Sequence, residues 1–219
     1  MLQDLGATLV DRLETKYELA VEVSAPTRDT SNVDTWKFKV ITHPEQRDLP
    51  AQRINIDICS IPSEDRRPMV LRNHYGVDMG TAGLIIQAQT REEILADKLV
   101  ALALRPNRLK NRDLWDIGWL KQQNLNLPLD MIPGKVDGRQ RKMSEFLTLL
   151  TDRRDQLQND RRLRADFIQE IKRFLPPRVV AETIENEAFW EYLVNLITIE
   201  CDAVIRLIEN GPESTGFKM

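Results

Sequence analysis

Two hydrophobic periods are visible at the start of the chain. Within residues 2–17 an apolar side chain recurs at about every fourth position. This spacing predicts a helix with one buried face. Residues 36–42 and 53–60 instead alternate apolar and polar positions, and residues 19–23 form a short apolar run. These three segments predict strands. The chain is therefore expected to begin with a helix followed by a mixed or antiparallel sheet.

The middle of the chain predicts a loop, a strand and a helix in that order. Residues 62–68 are rich in charge and proline, which favours a loop, and residues 83–89 favour a further strand. Thr90 is expected to cap the next helix, with Glu93 completing a capping box three residues later. Residues 122–140 carry several Asn, Pro and Gly residues and no helical period, so a connector is predicted there.

Beyond the connector the pattern is helical. Three amphipathic segments are predicted to be helices, at about residues 140–157, 160–175 and 180–209. Because each has an apolar stripe that needs a partner, they are expected to pack on one another and on the helices of residues 92–120. The predicted domains are a core at 1–121, a connector at 122–139 and a helical lobe at 140–219.

Charged residues interrupt the apolar rows at a few positions. Lys98 shares a helical row with Ile94 and Leu102, so it flanks the buried stripe. Asp113 and Asp116 lie one turn apart on the next predicted helix and point the same way. A lysine and carboxylates directed at one inner surface indicate a metal–phosphate site. Ion pairs at helix edges are the plainer alternative, and the pattern alone leaves both open.

Composition narrows the class of protein. The chain has 219 residues, 42% hydrophobic and 30% charged, with a formal net charge of −3, which is ordinary for a globular protein and gives no general basic field for nucleic acid. No apolar run approaches the length of a membrane span and no signal peptide is evident, so a cytoplasmic protein is expected. The two histidines lack metal-ligand spacing. Cys59 and Cys201 are expected to be buried free thiols.

Segments 53–58 and 92–120 resemble two sequence blocks of the AbiEii/AbiGii-type nucleotidyltransferase toxins. The family pattern is roughly E-x-x-x-A-x-K-x-x-A-L, a short gap with arginine, and then R-D-x-x-D. The chain supplies the matching residues in order: Glu92, Ala96, Lys98, Ala101, Leu102, Arg105, Arg108, Arg112, Asp113 and Asp116. The resemblance covers about residues 1–125. It implies an α+β fold, with a partial nucleotidyltransferase-fold mixed sheet and helices followed by an α-helical C-terminal lobe.

The resemblance also implies a function and roles for single residues. It implies transfer of a nucleotide from an NTP to tRNA or another target, with Mg²⁺ as cofactor and a cognate antitoxin as partner. By position, Asp57 matches the third strand carboxylate, which could ligate the metal, and Lys98 matches the nucleotide-contacting lysine. Asp113 and Asp116 match the acidic pair, one of which acts in catalysis. The candidates for binding phosphate are Lys98, Arg105, Arg108 and Arg112.

Plainer interpretations of the same residues stay open. Asp57 is equally expected of a strand with one wet face, and Lys98 of a helix edge where a lysine extends its ammonium into water. Asp116 is spaced to pair with Arg112 at i, i+4.

One block of the family pattern has no match. The family opens with Gly-Ser and then a strand bearing Asp-x-Asp, which holds the metal. Asp29-Thr30-Ser31 lacks the second acid, and Ser63-Glu64-Asp65 falls in a predicted loop. The expectation is a family member without its first strands, which transfers a nucleotide only if the missing metal-binding block is supplied and by itself binds Mg²⁺-nucleotide weakly or not at all.

Two further expectations come from the unmatched block. Missing strands would leave an open sheet edge around residues 1–60, which favours a homodimer or a complex with an upstream-encoded fragment. The alternative function is a non-catalytic remnant or partner-binding module of a toxin–antitoxin or phage-defence system.

Overall fold

The computed structural model describes residues 3–26, 32–46, 48–73, 76 and 80–210, with side chains described from Gly6 onward. The chain groups into two compact units, Met1–Pro62 and Ser63–Met219. Helices make up 54% and strands 16% of the described residues, which confirms the predicted α+β class. The predicted domain boundaries around 122–139 do not coincide with the division into units and stay a prediction. The segment Asp29-Thr30-Ser31 lies outside the described residues.

The first unit consists of one helix and a three-stranded antiparallel sheet, as predicted. Its elements are α1 (Gln3–Tyr17), β1 (Ala20–Ser24), β2 (Val33–Ile41) and β3 (Gln52–Cys59), with the strand order β1-β2-β3. The small core is formed by Val21, Trp36, Phe38 and Val40. Leu9 and Leu13 of the predicted helical row pack against it, so the apolar stripe of α1 covers the sheet.

The apolar side chains of β3 are only partly covered, and its cysteine is not buried. Ile56 and Ile58 pack against the small core, but Ile54 is 48% exposed. Cys59 is also exposed, so the prediction of a buried thiol was wrong there. Both residues lie on a strand at the edge of the sheet, which has a neighbouring strand on one side only and therefore offers less cover than a central strand.

The second unit begins with a two-stranded ribbon and continues as a helical array. The ribbon pairs β4 (Arg66–Val70) with β5 (Ile85–Gln89) in antiparallel register. The helices are α2 (Arg91–Leu104), α3 (Asn111–Gln122), α4 (Ile132–Asp137), α5 (Met143–Asn159), α6 (Arg162–Ile171), α7 (Pro177–Glu182) and α8 (Glu187–Asn210). The predicted helix at 180–209 is thus interrupted, because Thr183 leaves helical backbone geometry at the end of α7.

Two segments predicted to be irregular carry regular structure. The predicted loop at 62–68 contains the start of β4, where every residue is exposed, so its charged side chains meet no core and tolerate a strand. The predicted connector at 122–140 contains a 3₁₀ turn at Leu129–Met131 and then α4. Six residues make fewer than two turns, which is too short for a helical period to be visible. Ile132 is nevertheless fully buried.

The helices share one hydrophobic core. Helix α5 packs on α2 and α8, and α3 packs on α2, α6 and α8, which confirms that the C-terminal helices pack on one another and on the helices of 92–120. Fully buried side chains at their contacts include Leu99, Leu114, Phe146 and Leu193. Cys201 is buried as predicted, and burial raises the pKa of its thiol to about 12. Among the described residues no helix is long and apolar enough to cross a membrane.

Candidate nucleotide-binding site

Helices α2 and α3 bring three of the sequence-predicted residues together. The Lys98 ammonium lies 3.0 Å from Oδ1 of Asp113 and 2.6 Å from Oδ2 of Asp116. The Asp113 side chain is 2% exposed, whereas those of Lys98 and Asp116 are 27% and 41% exposed. Asp113 and Asp116 point to the same side of α3 because they are one helical turn apart. Their proposed roles in catalysis stay predictions.

Arg105 completes this cluster from the end of α2. Its Nε lies 2.5 Å from Oδ2 of Asp113, and its Nη2 lies 3.4 Å from Oδ1 of the same carboxylate. Both oxygens of Asp113 are therefore bonded to cations. Asp113 also lies in the first turn of α3, where the helix dipole stabilises a negative charge. The geometry makes Asp113 the fixed anchor on which Lys98 and Arg105 are held.

The protonation state of Lys98 follows from this arrangement. Burial would lower the pKa of its ammonium, but the hydrogen bonds to Asp116 and Asp113 outweigh that effect and raise the pKa above the ordinary lysine value. Lys98 therefore stays a cation at neutral pH and cannot serve as a general base. Of its two partners, Asp116 is the more exposed, so the ammonium lies nearer to solvent on that side.

Two further predicted residues, Arg112 and Asp57, have other partners. Arg112 lies 3.9 Å from Glu170 and its guanidinium stacks 4.0 Å from the centroid of the Phe174 ring, so the alternative pairing of Arg112 with Asp116 was wrong. Asp57 is exposed on β3 in the first unit and accepts a 2.7 Å hydrogen bond from the Thr35 hydroxyl. Its convergence with Lys98 stays a prediction.

The side chains near the Lys98 cluster do not form a set of metal ligands. Among the described residues no three His, Cys, Asp or Glu side chains are grouped so that they could hold a metal ion. Both oxygens of Asp113 are bonded to Lys98 and Arg105, so a metal ion would have to compete with these two cations. The cluster therefore offers cationic contacts to phosphate, and no Mg²⁺ ligand set is assigned to it.

A second charged cluster, at the start of α2, was not predicted from the sequence. Thr90 caps α2 as predicted, since its hydroxyl accepts the amide N–H of Glu93 at 3.3 Å. The Glu93 carboxylate, however, does not complete a capping box, because the Thr90 amide donates to the Asp65 carbonyl instead. Glu93 is fully buried and is bonded to the Lys135 ammonium. It also accepts the Ser63 hydroxyl at 2.6 Å.

This buried cluster extends from Glu93 to the residue beside Lys98. Lys135 is 2% exposed and also lies 3.2 Å from Asp97, which in turn accepts Arg139 at 2.8 Å and Gln89 at 2.5 Å. The backbone amides of Glu64 and Asp65 bind Glu93 as well. The cluster thus joins the 63–65 segment, α2 and α4. A lysine within a Pro- and Gly-rich segment gave no periodic signal by which to find it.

The pKa of Glu93 reports the strength of these contacts. Burial alone would raise it, but the hydrogen bonds from Lys135, Ser63 and two backbone amides outweigh burial and lower the pKa to about 2, from an ordinary 4.5. A carboxyl group whose pKa is lowered in the folded protein adds stability above its unfolded pKa. That stability is lost as the pH falls through the folded value.

Acid unfolding is therefore expected to depend on Glu93. Between pH 4.5 and about pH 2 the wild-type chain should lose on the order of 3 kcal/mol of unfolding free energy through this group alone. Urea unfolding followed across that range should show a flatter pH dependence for Glu93→Gln. Glu145→Gln, which alters an exposed surface pair, is the matched control. Equal slopes for Glu93→Gln and wild type would contradict the assignment.

Comparison with known protein families covers most of the chain. A family model described as nucleotidyl transferase AbiEii toxin, type IV TA system, matches residues 3–195. A comparison with curated proteins gave no match. The matched range covers nearly all of the first unit and the second unit as far as α8, includes the whole Lys98 cluster, and extends well past the segments that carried the resemblance. The chain therefore belongs to the AbiEii nucleotidyl transferase toxin family, whose type IV toxin–antitoxin organisation implies a cognate antitoxin.

Proposed function

We propose that this chain transfers a nucleotide from an NTP to an RNA or another cellular acceptor, and that the Lys98 cluster binds the triphosphate. The observation that carries the proposal is the Lys98 ammonium, kept protonated between Asp113 and Asp116 at a partly open position. A fixed cation at this point would stabilise the charge that develops on the phosphates during transfer. Because the ammonium is already held in place, little reorganisation is needed when the nucleotide binds.

The three residues have different tasks in this proposal. Asp113 is a positioning residue, because it is buried and holds both Lys98 and Arg105. Arg105, with its side chain 42% exposed, is a second cation within reach of a phosphate. Asp116 would release Lys98 to the incoming phosphate and could then accept the proton of the hydroxyl group that attacks the α-phosphorus, while the bond between the α- and β-phosphates breaks and pyrophosphate leaves.

A second candidate function is a non-catalytic, partner-binding module of the toxin–antitoxin system. The observation that favours it is the state of Asp113, whose two oxygens are engaged by cations, together with the lack of a three-ligand group among the described residues. In that case the Lys98 cluster is a structural ion-pair network that joins α2 to α3. The two functions differ in one measurable property, which is binding and turnover of an NTP.

The experiment that tests the proposal is incubation of the purified full chain with each α-labelled NTP, Mg²⁺ and total cellular RNA. Label should pass to RNA, a result that would overturn the expectation, drawn from the unmatched Asp-x-Asp block, of weak or absent nucleotide binding. Asp116→Asn should lower the rate by about a hundredfold, as expected when a proton acceptor is removed. Its melting temperature should change little, because an exposed ion pair contributes about 1 kcal/mol or less.

Glu145→Gln is the control for Asp116→Asn, since it removes a carboxylate of similar exposure from an Arg141 pair elsewhere. It should transfer label at the wild-type rate. If the wild-type chain neither binds an NTP nor transfers label, the partner-binding function replaces the enzymatic one.

We further propose that the acceptor is tRNA, that the chain acts in the cytoplasm in phage defence, and that it forms a homodimer. The first three are expectations drawn from the resemblance to the toxin family, and membership of a nucleotidyl transferase toxin family is compatible with them. Support for the dimer comes from β3, an edge strand of its sheet in the described part of the chain, where Ile54 is 48% exposed. Open strand edges with apolar side chains favour pairing with another chain.

A further inference from the structure

A polar pocket lies between the first turn of α3 and the C-terminal half of α6. Its volume is about 350 Å³, at the lower end of the range for small-molecule sites. Three arginines line it, Arg108, Arg112 and Arg173. All are distinct from Lys98 and Arg105, so the pocket is a separate feature from the cluster described above. Its size suits a single nucleotide unit.

Two of these arginines are available to a ligand. In the part of the chain that the structure describes, no hydrogen bond or ion pair engages the guanidinium groups of Arg108 and Arg173, and both residues are exposed. Arg112 is held over the Phe174 ring and lies 3.9 Å from Glu170. Arginine is the side chain best suited to bind phosphate through paired N–H groups. The pocket therefore offers two free phosphate-binding groups beside a fixed one.

Asn111 lies at the floor of the same pocket with an unused acceptor. The residue is 3% exposed, and its Nδ2 donates to Glu170 at 3.0 Å. Its Oδ1 is buried and has no hydrogen-bond partner. Buried polar atoms almost always have a partner, so the orphaned oxygen indicates a donor that the protein itself does not provide. Oδ1 is covered by neighbouring side chains, so a ligand can donate a hydrogen bond to it only after a small shift of those side chains.

The carboxylates in the pocket narrow the chemistry of the ligand. Asp166 and Glu170 line it together with the arginines, so a bare phosphate or polyanion would be repelled by two carboxylates. A ligand that carries a phosphate and, near it, N–H donors satisfies both kinds of group. A nucleotide has this combination, since its phosphate is anionic and the amino groups of its base are donors.

We propose that this pocket binds one nucleotide of a single-stranded acceptor RNA, with its phosphate at Arg108 and Arg173 and its base amino group at Asn111. The biological role rests on the proposed transferase function. Asn111 and Asp113 are two residues apart on α3 and so face different sides of one turn. A helix is about 10–12 Å across with its side chains. An RNA strand seated in the pocket therefore reaches the Lys98 cluster within a few nucleotides.

The test is fluorescence anisotropy of a labelled, short single-stranded RNA with the full chain and with the double variant Arg108→Ala/Arg173→Ala. The variant should weaken binding by about tenfold or more at low salt, because hydrogen bonds to charged groups are lost. The slope of log K against log salt concentration should become shallower by about 0.7 for each phosphate no longer contacted. A purely structural role would not move this slope. Circular dichroism confirms the fold.

The matched control is Arg161→Ala/Arg162→Ala, which removes two exposed arginines at the other end of α6. It should keep the wild-type affinity and slope. Unchanged RNA binding by Arg108→Ala/Arg173→Ala, an equal loss in the control, or a loss of NTP binding without a loss of RNA binding would each overturn the inference. If the RNA effect appears but no label is transferred, the pocket stands and the proposed enzymatic function fails.

Discussion

Replacing Lys98 by methionine is expected to lower nucleotide transfer by about a hundred- to a thousandfold. That range is typical when one fixed donor to the charge of a transition state is removed. The variant keeps the apolar length of the side chain and removes only the ammonium that bridges Asp113 and Asp116. Asp113 retains Arg105, so the loss of stability should be limited to about 1–2 kcal/mol. Single-turnover kinetics, NTP calorimetry and thermal unfolding measure the three effects separately.

The chain provides a close control for this substitution. Lys121 belongs to α3, the helix that carries Asp113 and Asp116, and forms a 2.7 Å ion pair with Glu200 of α8, where its side chain is 16% exposed. Lys121→Met therefore removes a partly buried ion pair from the same helix without touching the Lys98 cluster. It should lose a similar amount of stability and keep its activity. Wild-type turnover by Lys98→Met, or an equal loss of turnover in Lys121→Met, would show that Lys98 does not act on the nucleotide.

The contact of Lys98 with Asp113 and Asp116 could be predicted from the sequence because it depends on local geometry. Spacing of one turn places Asp113 and Asp116 on one side of α3, and the apolar row containing Lys98 fixes the side of α2 that meets its neighbour. Two consecutive helices with facing apolar stripes are expected to pack on each other. Once they do, a charged residue beside each stripe meets its counterpart. Every one of these steps can be taken from residue spacing alone.

The buried cluster around Glu93 could not be foreseen for the opposite reason. Its main partner, Lys135, is far away in sequence and lies on a helix of six residues, which shows no period. Glu93 also fitted a local pattern, since Thr-x-x-Glu is the usual sequence of a capping box. The structure instead directs its carboxylate to Ser63, two backbone amides and Lys135. A tertiary contact replaced a plausible local one.

The pocket beside Asn111 could be predicted from the sequence only in part. Arg108 and Arg112 were recognised as phosphate candidates because they fall in the family's arginine-bearing gap. Their partner Arg173 lies at the end of α6, and only the packing of α3 on α6 brings it near. Sequence patterns identified the kind of group that binds phosphate but could not supply the distant element that completes a pocket.

Replacing Lys135 by methionine should be the most destabilising single change outside the apolar core. Lys135 and Glu93 are both almost completely buried, and removing one member of such a pair leaves an uncompensated charge. This usually costs about 3–5 kcal/mol. For a chain of this size the melting temperature should fall by about 10 °C or more. Lys172→Met, at an exposed position, should change it by no more than about a degree or two.

The double variant Glu93→Gln/Lys135→Met separates the cost of a lone charge from the loss of packing. The side-chain amide introduced by Glu93→Gln has no charge, and its single oxygen can still accept one of the two backbone N–H groups, those of Glu64 and Asp65, which bind separate carboxylate oxygens in the wild type. Part of the stability should therefore return. Urea unfolding of the wild type, the two single variants and the double variant gives the coupling between the two positions. A coupling free energy near zero would mean that the pair adds no stability.

The effect of this pair should also reach the candidate site. Lys135 and Arg139 both bind Asp97, the residue before Lys98 on α2, so the cluster fixes the turn of α2 that presents the Lys98 ammonium. Lys135→Met should therefore raise the KM for NTP more than it lowers kcat, because the positioning of a binding residue is disturbed while the reacting groups remain. A lower kcat with an unchanged KM at a temperature where the variant is folded would contradict that link.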